Sequence, residues 1–267
     1  AGDSVVRATV AAPGQMADRF KMDAWNGVLR VVTNTWWPER NTYITTFDLT
    51  NPDTMAQLGQ TTLQSASGES VYATRFDGPK AYIVTYLTKD PLFIVDLSDP
   101  ANPQVLGELE IPGWSTHIEP RGDRLIALGV DDQGGQRVMV SLFDVSNAAA
   151  PLRLDFESFG EGWSWSSAYN DVKAFSVFDD IILVPFSGWN TGSGGYDRLQ
   201  FISYTHDTLE PGGYADLQGS ALRSFAYSDL YYSVTQEQLA VIEAADLAAP
   251  TVINTISLAE NVADIAP

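Results

Sequence analysis

Five charged residues have the types and spacing to form a polar binding site. His117 and Glu119 are two residues apart, so their side chains point to the same side of a β-strand. A histidine and a carboxylate placed in this way can share a metal ion or divide acid–base work. Lys21, Asp23 and Arg75 occur at matching places in two earlier segments. The five residues predict a site for a polar ligand or a metal ion. The alternative is an ion-pair network that holds neighbouring segments in register.

Aromatic residues in three loops form a second candidate site. These loops are rich in glycine or polar residues, where an aromatic ring can contact a sugar or a peptide. For any single tryptophan, burial in the core is the competing interpretation. The residues are Trp36 and Trp37 (loop 34–40), Trp163 and Trp165 (loop 159–171), and Trp189 and Tyr196 (insertion 188–198).

Two adjacent acids, Asp131 and Asp132, precede a Gly-Gly pair in the hairpin tip at residues 130–136. Paired carboxylates of this kind can bind Ca²⁺, although the spacing of an EF-hand is missing. A solvated turn is the alternative. No cofactor is predicted, with calcium left open at this tip; because the chain has no cysteine, a zinc–thiolate site and an iron–sulfur cluster are excluded.

Nucleophilic catalysis finds little support in the sequence. There are only two histidines, His117 and His206, and no Gly-x-Ser-x-Gly motif. Paired carboxylates for glycoside hydrolysis remain open, because such pairs are distant in sequence.

The net charge of −19 disfavours contact with nucleic acid, which needs a basic surface, and with anionic lipid. No apolar run approaches the ~18 residues that span a bilayer. The chain begins with Ala1 and shows no signal peptide, so we expect a processed or trimmed product.

A repeated stretch determines the predicted fold. Asp48, Asp96 and Asp144 each end an apolar run before a turn and lie 48 residues apart, and Glu243 takes the same place in the last copy. The copy at residues 200–218 has lost the acid. Such an acid can accept backbone N–H groups across the turn, which predicts a structural role.

Each repeat contains four short runs of β-branched and aromatic residues separated by turns, and no segment has a helical period. Four-stranded units of this length indicate an all-β fold, a β-propeller of antiparallel blades. The first strands are predicted at residues 20–24, 72–76, 116–120, 173–177 and 223–227. Five blades are predicted in a single domain spanning residues 1–267, at about 15–64, 69–112, 113–160, 165–218 and 219–260.

Alternation along these first strands predicts two faces. The five charged residues fall on the face towards a central channel or the seam between blades. The opposite face is predicted to pack between blades; its residues are Met22, Ala24, Thr74, Phe76, Ile118, Pro120, Phe175, Val177, Phe225 and Tyr227.

Residues 4–14 match the ending of a blade and are predicted to form a surplus outer strand. Two accounts fit: the strand closes the ring by completing the last blade, or it ends an upstream blade that lies elsewhere. The second account is preferred, because the last repeat has its own fourth strand. It implies a larger ring, with blades from a second polypeptide as one source.

The chain resembles a family of secreted bacterial and archaeal proteins with a C-terminal β-propeller domain distantly related to WD repeats. The resemblance covers about residues 4–258 and is most specific in "DPLFIVDLSDPANPQVLGELEIPG", which is also similar to surface-protein repeats reading Leu-Val-Ile-Val-Asp. It implies a longer, exported protein. Where members often carry a histidine, in "YNDVKAF", this chain has Val172, so no role of that histidine carries over.

The sequence as a whole favours an exported, non-catalytic module, secreted, at the cell surface or in the periplasm, that binds a protein or a glycan through its aromatic loops. One alternative is a hydrolase or lyase, metal-assisted or not, centred on Asp23, Arg75, His117 and Glu119. The other is a structural assembly unit of the cell surface.

Overall fold

The computed structural model describes residues 4–86, 90–111, 113–190, 192 and 194–258, with the backbone alone at 90 and 190. The ends of the second and fifth predicted blades, at 112 and 259–260, lie outside the described residues, as do 191 and 193 of the predicted insertion. The chain divides into two compact units. Unit 1 contains Ala1–Asp123 and Val145–Leu152; unit 2 contains Arg124–Asp144 and Arg153–Pro267.

The first sheet, in unit 1, is a four-stranded antiparallel meander. Its first hairpin turns at Asn26 and Gly27, whose φ angles are 51° and 79°. Positive φ at both central residues gives the twist that joins adjacent strands. A 3-10 turn η1 (Arg19–Lys21) precedes the sheet. Its strands are β1 (Met22–Trp25), β2 (Val28–Asn34), β3 (Thr42–Asp48) and β4 (Gln57–Thr62).

The second sheet, also in unit 1, has the same order and follows the 3-10 turn η2 (Gln64–Ala66). Apolar side chains between the first two sheets, such as Val32, Ile44, Ile83 and Phe93, are fully buried. Burial of this surface is the main force that holds the two sheets together. The strands are β5 (Ser70–Asp77), β6 (Lys80–Tyr86), β7 (Asp90–Asp96) and β8 (Gln104–Ile111).

The third sheet has the strand order β12-β11-β10-β9. Strand β9 belongs to unit 1, whereas β10, β11 and nearly all of β12 belong to unit 2. Every residue of β10 is buried, which reflects its almost continuous apolar sequence. The strands are β9 (Trp114–Arg121), β10 (Arg124–Asp131), β11 (Arg137–Asp144) and β12 (Leu152–Phe159).

The fourth sheet, in unit 2, has its first strand split into two short pieces that both pair with β15. Two 3-10 turns, η3 (Ser167–Tyr169) and η4 (Val172–Ala174), fill the interval. Phe175, Ile182 and Phe186 pack in the core beside Ile126 and Val140. The strands are β13 (Ser164–Trp165), β14 (Ser176–Val177), β15 (Ile181–Asn190), β16 (Gly194–Tyr204) and β17 (Leu209–Leu217).

The fifth sheet, also in unit 2, again has four strands in chain order. One face packs against the fourth sheet through Ala240, Ile242 and Tyr231, in a core shared with Leu199 and Phe201. Its strands are β18 (Arg223–Tyr227), β19 (Leu230–Val234), β20 (Gln238–Glu243) and β21 (Thr251–Ser257). The described residues contain no α-helix. None of their helical segments has the length and apolar character to cross a bilayer.

The repeated acid has the predicted structural role in the first two sheets. The carboxylate Oδ1 of Asp48 accepts the backbone N–H of Thr50 at 2.8 Å, and that of Asp96 accepts the N–H of Ser98 at 2.9 Å. Asp144 pairs with the buried Arg124, Oδ1 to Nη1 at 2.9 Å. The repeated acid thus stabilises the end of the third strand, either through the following turn or through the neighbouring strand.

A contact that we did not predict links successive sheets. Gly59 in β4 lies against the carbonyl groups of Pro100 and Ala101, in the turn after β7, and an added Cβ would be 2.6 Å from either oxygen. Gly107 in β8 meets the Ala148 carbonyl after β11 in the same way. Gly213 in β17 does so with the Ala248 carbonyl after β20. At these three places, the fourth strand of one sheet therefore packs against the turn that follows the third strand of the next sheet.

Two predicted first strands are partly wrong, and the cause is the same in both. In residues 20–24, Phe20 and Lys21 lie in η1, because Asp18 accepts the backbone N–H of Phe20 at 2.8 Å. In residues 173–177, η4 replaces the start of the strand, because Asp171 accepts the N–H of Lys173 at 3.1 Å. An aspartate two residues ahead thus draws the backbone into a turn.

The predicted packing face is only partly confirmed. Ile118 and Phe175 are buried, but Met22, Phe225 and Tyr227 are exposed. Phe225 stacks on Tyr232 across the sheet, at 5.1 Å between ring centroids, on a face that stays open. Alternation sorts residues into two faces, and the contacts of the sheet then decide which face is covered.

The predicted strand at residues 4–14 is wrong, since the structure has no strand there. A strand needs a ladder of backbone partners, and this segment is held only at two points. Arg7 forms an exposed ion pair with Asp53, and a single bridge joins Gln15 to Asn34.

Candidate functional site

Charged side chains of unit 1 converge on Glu119 in β9. Glu119 Oε2 is 3.1 Å from Arg75 Nη2 in β5 and 3.9 Å from His117 Nε2. Glu119 Oε1 is 3.9 Å from Arg121 Nη2. Glu119 and His117 point to the same side of β9, as their spacing predicts. Three of the five predicted residues, Arg75, His117 and Glu119, are therefore brought together.

His117 is a neutral base in this group. Its side chain is 13% exposed. Burial, followed by the positive charge of Arg75, lowers the pKa of the imidazole from 6.5 to about 4. At neutral pH its 3.9 Å approach to Glu119 is accordingly a contact between an uncharged ring and a carboxylate rather than an ion pair.

Asp23 and Lys21 have other partners. The Asp23 carboxylate pairs with the buried guanidinium of Arg30, which also donates to the carbonyl of Gly78. Lys21 Nζ lies 3.2 Å from Asp18 Oδ2 and donates to the Tyr72 carbonyl at 3.0 Å. The sequence did not predict the role of Arg30, because an arginine within an apolar run gives no sign of which carboxylate it pairs with.

Asp23 and Arg75 do share a shallow groove of about 290 Å³. Phe20, Met22 and Phe76 contribute its apolar surface. Basic, acidic and apolar groups therefore meet at one place in unit 1, and they come from both predicted faces of the first strands: Asp23 and Arg75 from one face, and Met22 and Phe76 from the other.

The aromatic loops differ in how far their rings are exposed. Trp36 is 59% and Trp37 86% exposed in unit 1, and Trp163 is 53% and Trp189 65% exposed in unit 2. Trp165 is half-buried in β13, opposite Ser187. An exposed ring can contact a partner whereas a buried ring cannot, so these four tryptophans are stronger candidates than Trp165.

Trp163 and Trp189 lie at the same end of the fourth sheet. The β13–β15 ladder pairs Ser164 with Gly188, and the two tryptophans are the next residue on each segment. Trp163 Nε1 donates to Gln136 Oε1 at 3.1 Å. The Trp189 ring rests on Gly195, where an added Cβ would be 3.5 Å away. Both rings are thus oriented by the protein while their surfaces stay accessible.

Tyr196, which we predicted in a flexible loop, lies in a strand and supports this surface, and its contact with a ligand stays a prediction. It lies in β16, half-buried, with its ring 5.8 Å from that of Phe186. Its hydroxyl accepts the backbone N–H of Glu161 at 3.1 Å, and its ring crosses Gly188. The glycine leaves room for the ring, which fixes the loop that carries Trp163. The sequence did not predict roles for Gln136 and Glu161, because their contacts with Trp163 and Tyr196 form only when this loop is folded.

The acids at the hairpin tip are already engaged in part. Asp131 Oδ2 is 2.6 Å from Arg137 Nη2, and its Oδ1 accepts the backbone N–H of Gln133 at 2.9 Å. These bonds lower the pKa of Asp131 against the effect of burial, which raises it. Asp132 is exposed. In the described part of the chain, no three histidine or acidic side chains are grouped to hold a metal ion. Calcium here stays a prediction.

Four antiparallel sheets of four strands, together with a fifth whose first strand is split into two pieces, define an all-β propeller fold. A model of the family described as "Beta propeller domain" matches residues 1–247, and the chain belongs to that family.

Two archaeal proteins are similar to this chain, and both are described as uncharacterized. One, from Methanocaldococcus jannaschii, is 42% identical over 169 residues, which cover 61% of this chain and 25% of that protein. The other, from Archaeoglobus fulgidus, is 31% identical over 238 residues, covering 87% of this chain and 34% of that protein. The chain therefore spans about a quarter to a third of the length of these relatives.

Proposed function

We propose that this propeller domain is an exported, non-catalytic binding module that recognises a glycan through Trp163 and Trp189. The observation that carries the proposal is the pair of exposed rings at one end of the fourth sheet, oriented by Gln136 and Gly195. Export rests on the family resemblance of the sequence.

A flat indole offers a wide apolar face at little cost in conformational entropy, since it has only two rotatable bonds. Sugar rings present C–H groups on one face, which matches such a surface. The net charge of −19 repels anionic partners. Together these properties favour a neutral glycan; a protein partner is the other class that the aromatic surface would suit.

Affinity electrophoresis through gels containing soluble neutral polysaccharides (β-glucan, xylan, galactomannan and hydroxyethyl chitin) tests the proposal. At least one polysaccharide should retard the protein. Trp163→Ala and Trp189→Ala should each weaken retardation about tenfold, since a well-placed aromatic contact contributes roughly 1.4 kcal/mol. Tyr227→Ala is the matched control, because Tyr227 is exposed but lies in β18, outside the aromatic loops. Equal retardation of all three variants would overturn the proposal.

A hydrolase or lyase centred on Glu119 is the second candidate. It is favoured by the close approach of Arg75 and of a neutral His117 to one carboxylate. A neutral imidazole can accept a proton, and the guanidinium can bind an anionic group. Turnover of a substrate panel that disappears in His117→Ala would support this function, whereas unchanged turnover would remove His117 from it.

A further inference from the structure

A cavity of about 270 Å³ lies in unit 1 and shares no lining residue with the Glu119 group. It forms where the segment before the first sheet crosses the end of β2. The lining residues that carry the argument are Gln15, Lys21, Thr33, Asn34, Trp36 and Ser70.

The backbone creates the cavity by leaving the sheet and returning to it. Gln15 and Asn34 exchange two backbone hydrogen bonds, of 3.0 and 2.9 Å. The chain then turns through η1 and rejoins β2 only at Met22, which pairs with Val31. The interval between these two pairings places Lys21 beside the cavity.

Lys21 provides a polar group whose positive charge is balanced by Asp18, 3.2 Å away. It is 3% exposed, and burial lowers the pKa of its ammonium group, against the opposing effect of Asp18. Asp18 and the Tyr72 carbonyl take two of its three N–H groups. Because Asp18 balances the charge, the site favours a neutral oxygen over an anion.

Two neighbouring side chains carry buried oxygens that lack a hydrogen-bond partner within the described residues, Thr33 Oγ1 and Asn34 Oδ1. The Asn34 amide donates to the carbonyls of Asn41 and Glu69, each at 3.2 Å, and this fixes which end of the amide remains unpaired. Both oxygens have almost no accessible surface, so they add to the polarity of the wall without meeting a ligand directly.

Trp36 supplies an aromatic wall. The guanidinium of Arg40 lies 4.1 Å from the centre of its ring and also donates to Ser70 Oγ at 3.2 Å. One face of the indole is thereby occupied and the ring is held in place, while the side chain as a whole remains 59% exposed. Trp37, the next residue, does not line the cavity.

We infer that this cavity binds a single neutral sugar ring, with its hydroxyls near Lys21 and Ser70 and its apolar side towards Trp36. The volume corresponds to about nine water molecules at roughly 30 Å³ each, which suits one pyranose ring. Alternating hydroxyl and C–H groups meet the mixture of polar and apolar walls. The site shares no residue with Trp163 or Trp189, so either proposal can fail alone.

Titration of the ¹⁵N-labelled protein with methyl glucoside, methyl galactoside, methyl mannoside and N-acetylglucosamine tests the inference, with glucuronate as the charged comparison. We expect at least one neutral sugar to shift the indole N–H resonance of Trp36 in a saturable way and to leave that of Trp37 in place. Trp36→Ala should weaken binding about tenfold, and Trp37→Ala less than about twofold.

Lys21→Met should abolish the binding, with the exposed Lys173→Met as its control. Because Lys21 is buried, the Trp36 and Trp37 pair keeps the inference testable if Lys21→Met fails to fold. No saturable shift with any neutral sugar, a preference for glucuronate, or equal effects of the two tryptophan variants would overturn the inference. Loss of polysaccharide retardation in Trp163→Ala with an intact Trp36 response would support two separate sites, as both proposals require.

Discussion

At the scale of single residues, Glu119 organises the charged groups of unit 1. One carboxylate meets Arg75, Arg121 and the neutral ring of His117. The guanidinium groups compensate its charge in a partly buried setting, which is what the ion-pair interpretation of the sequence requires. His117 remains the residue of this group whose state changes most with pH.

We predict that His117→Gln reduces the acid sensitivity of the protein. The lowered pKa means that the unfolded state binds the proton more tightly, so stability is lost as pH falls from 6.5 towards about 4. Protonation of the histidine in the unfolded state lowers the free energy of unfolding by on the order of 3 kcal/mol, and this decrease is absent in the variant. Urea unfolding of both proteins at pH 7 and pH 4.5 measures the difference; an equal loss of stability in both would contradict the assignment.

The site was predictable from the sequence only where strand geometry alone determines it. His117 and Glu119 were placed side by side because they are two residues apart in a continuous strand. Lys21 was misplaced because Asp18 caps a 3-10 turn there. Tyr196 was predicted in a flexible loop rather than in a strand, because the contacts that fix it, with Phe186 and Glu161, come from residues distant in sequence.

At the scale of elements, two repeats share a glycine at the same place in the fourth strand. The contact of that strand with the turn of the next repeat explains why a glycine is found there. Gly59 and Gly107 occupy the same place in β4 and β8, and each lies against a carbonyl group of the following repeat. The close approach leaves no space for a side chain. The apolar pattern predicted the strands themselves, but the close contact appears only when successive sheets are packed.

We predict that Gly107→Ala destabilises the protein by about 2 to 3 kcal/mol, because its methyl group would overlap the Ala148 carbonyl and force the backbones apart. Gly195→Ala in β16 is the matched control, since its methyl group meets only ordinary contacts at 3.5 Å or more. It should change stability by less than about 0.5 kcal/mol. Thermal and urea unfolding measure both; equal effects would argue against a close contact between sheet and turn.

At the scale of the whole molecule, the charge is the dominant property. The sequence has 34 acidic and 15 basic residues, so repulsion among carboxylates opposes the folded state. Many of the arginines are used in ion pairs, such as those of Arg124 with Asp144 and Arg223 with Asp171. The excess of acid therefore remains uncompensated.

We predict that salt stabilises the protein. Raising NaCl from 20 mM to 0.5 M shortens the screening length to a few ångströms and should raise the thermal midpoint by about 3 °C. Differential scanning calorimetry at a fixed pH of 7.5 gives the midpoint, with equal ionic strength of KCl as a check on ion identity. A falling midpoint would mean that attractive ion pairs outweigh the repulsion.

The measurement that tests glycan recognition most directly is the response of the seven indole N–H resonances of the ¹⁵N-labelled protein to a soluble oligosaccharide. The probe is cut from whichever neutral polysaccharide retards the protein in a gel. Our account predicts that the resonances of Trp163 and Trp189 shift together along one saturation curve, while those of Trp25 and Trp114 stay in place. Resonances of Trp163 and Trp189 that remain unmoved at saturating oligosaccharide would contradict it.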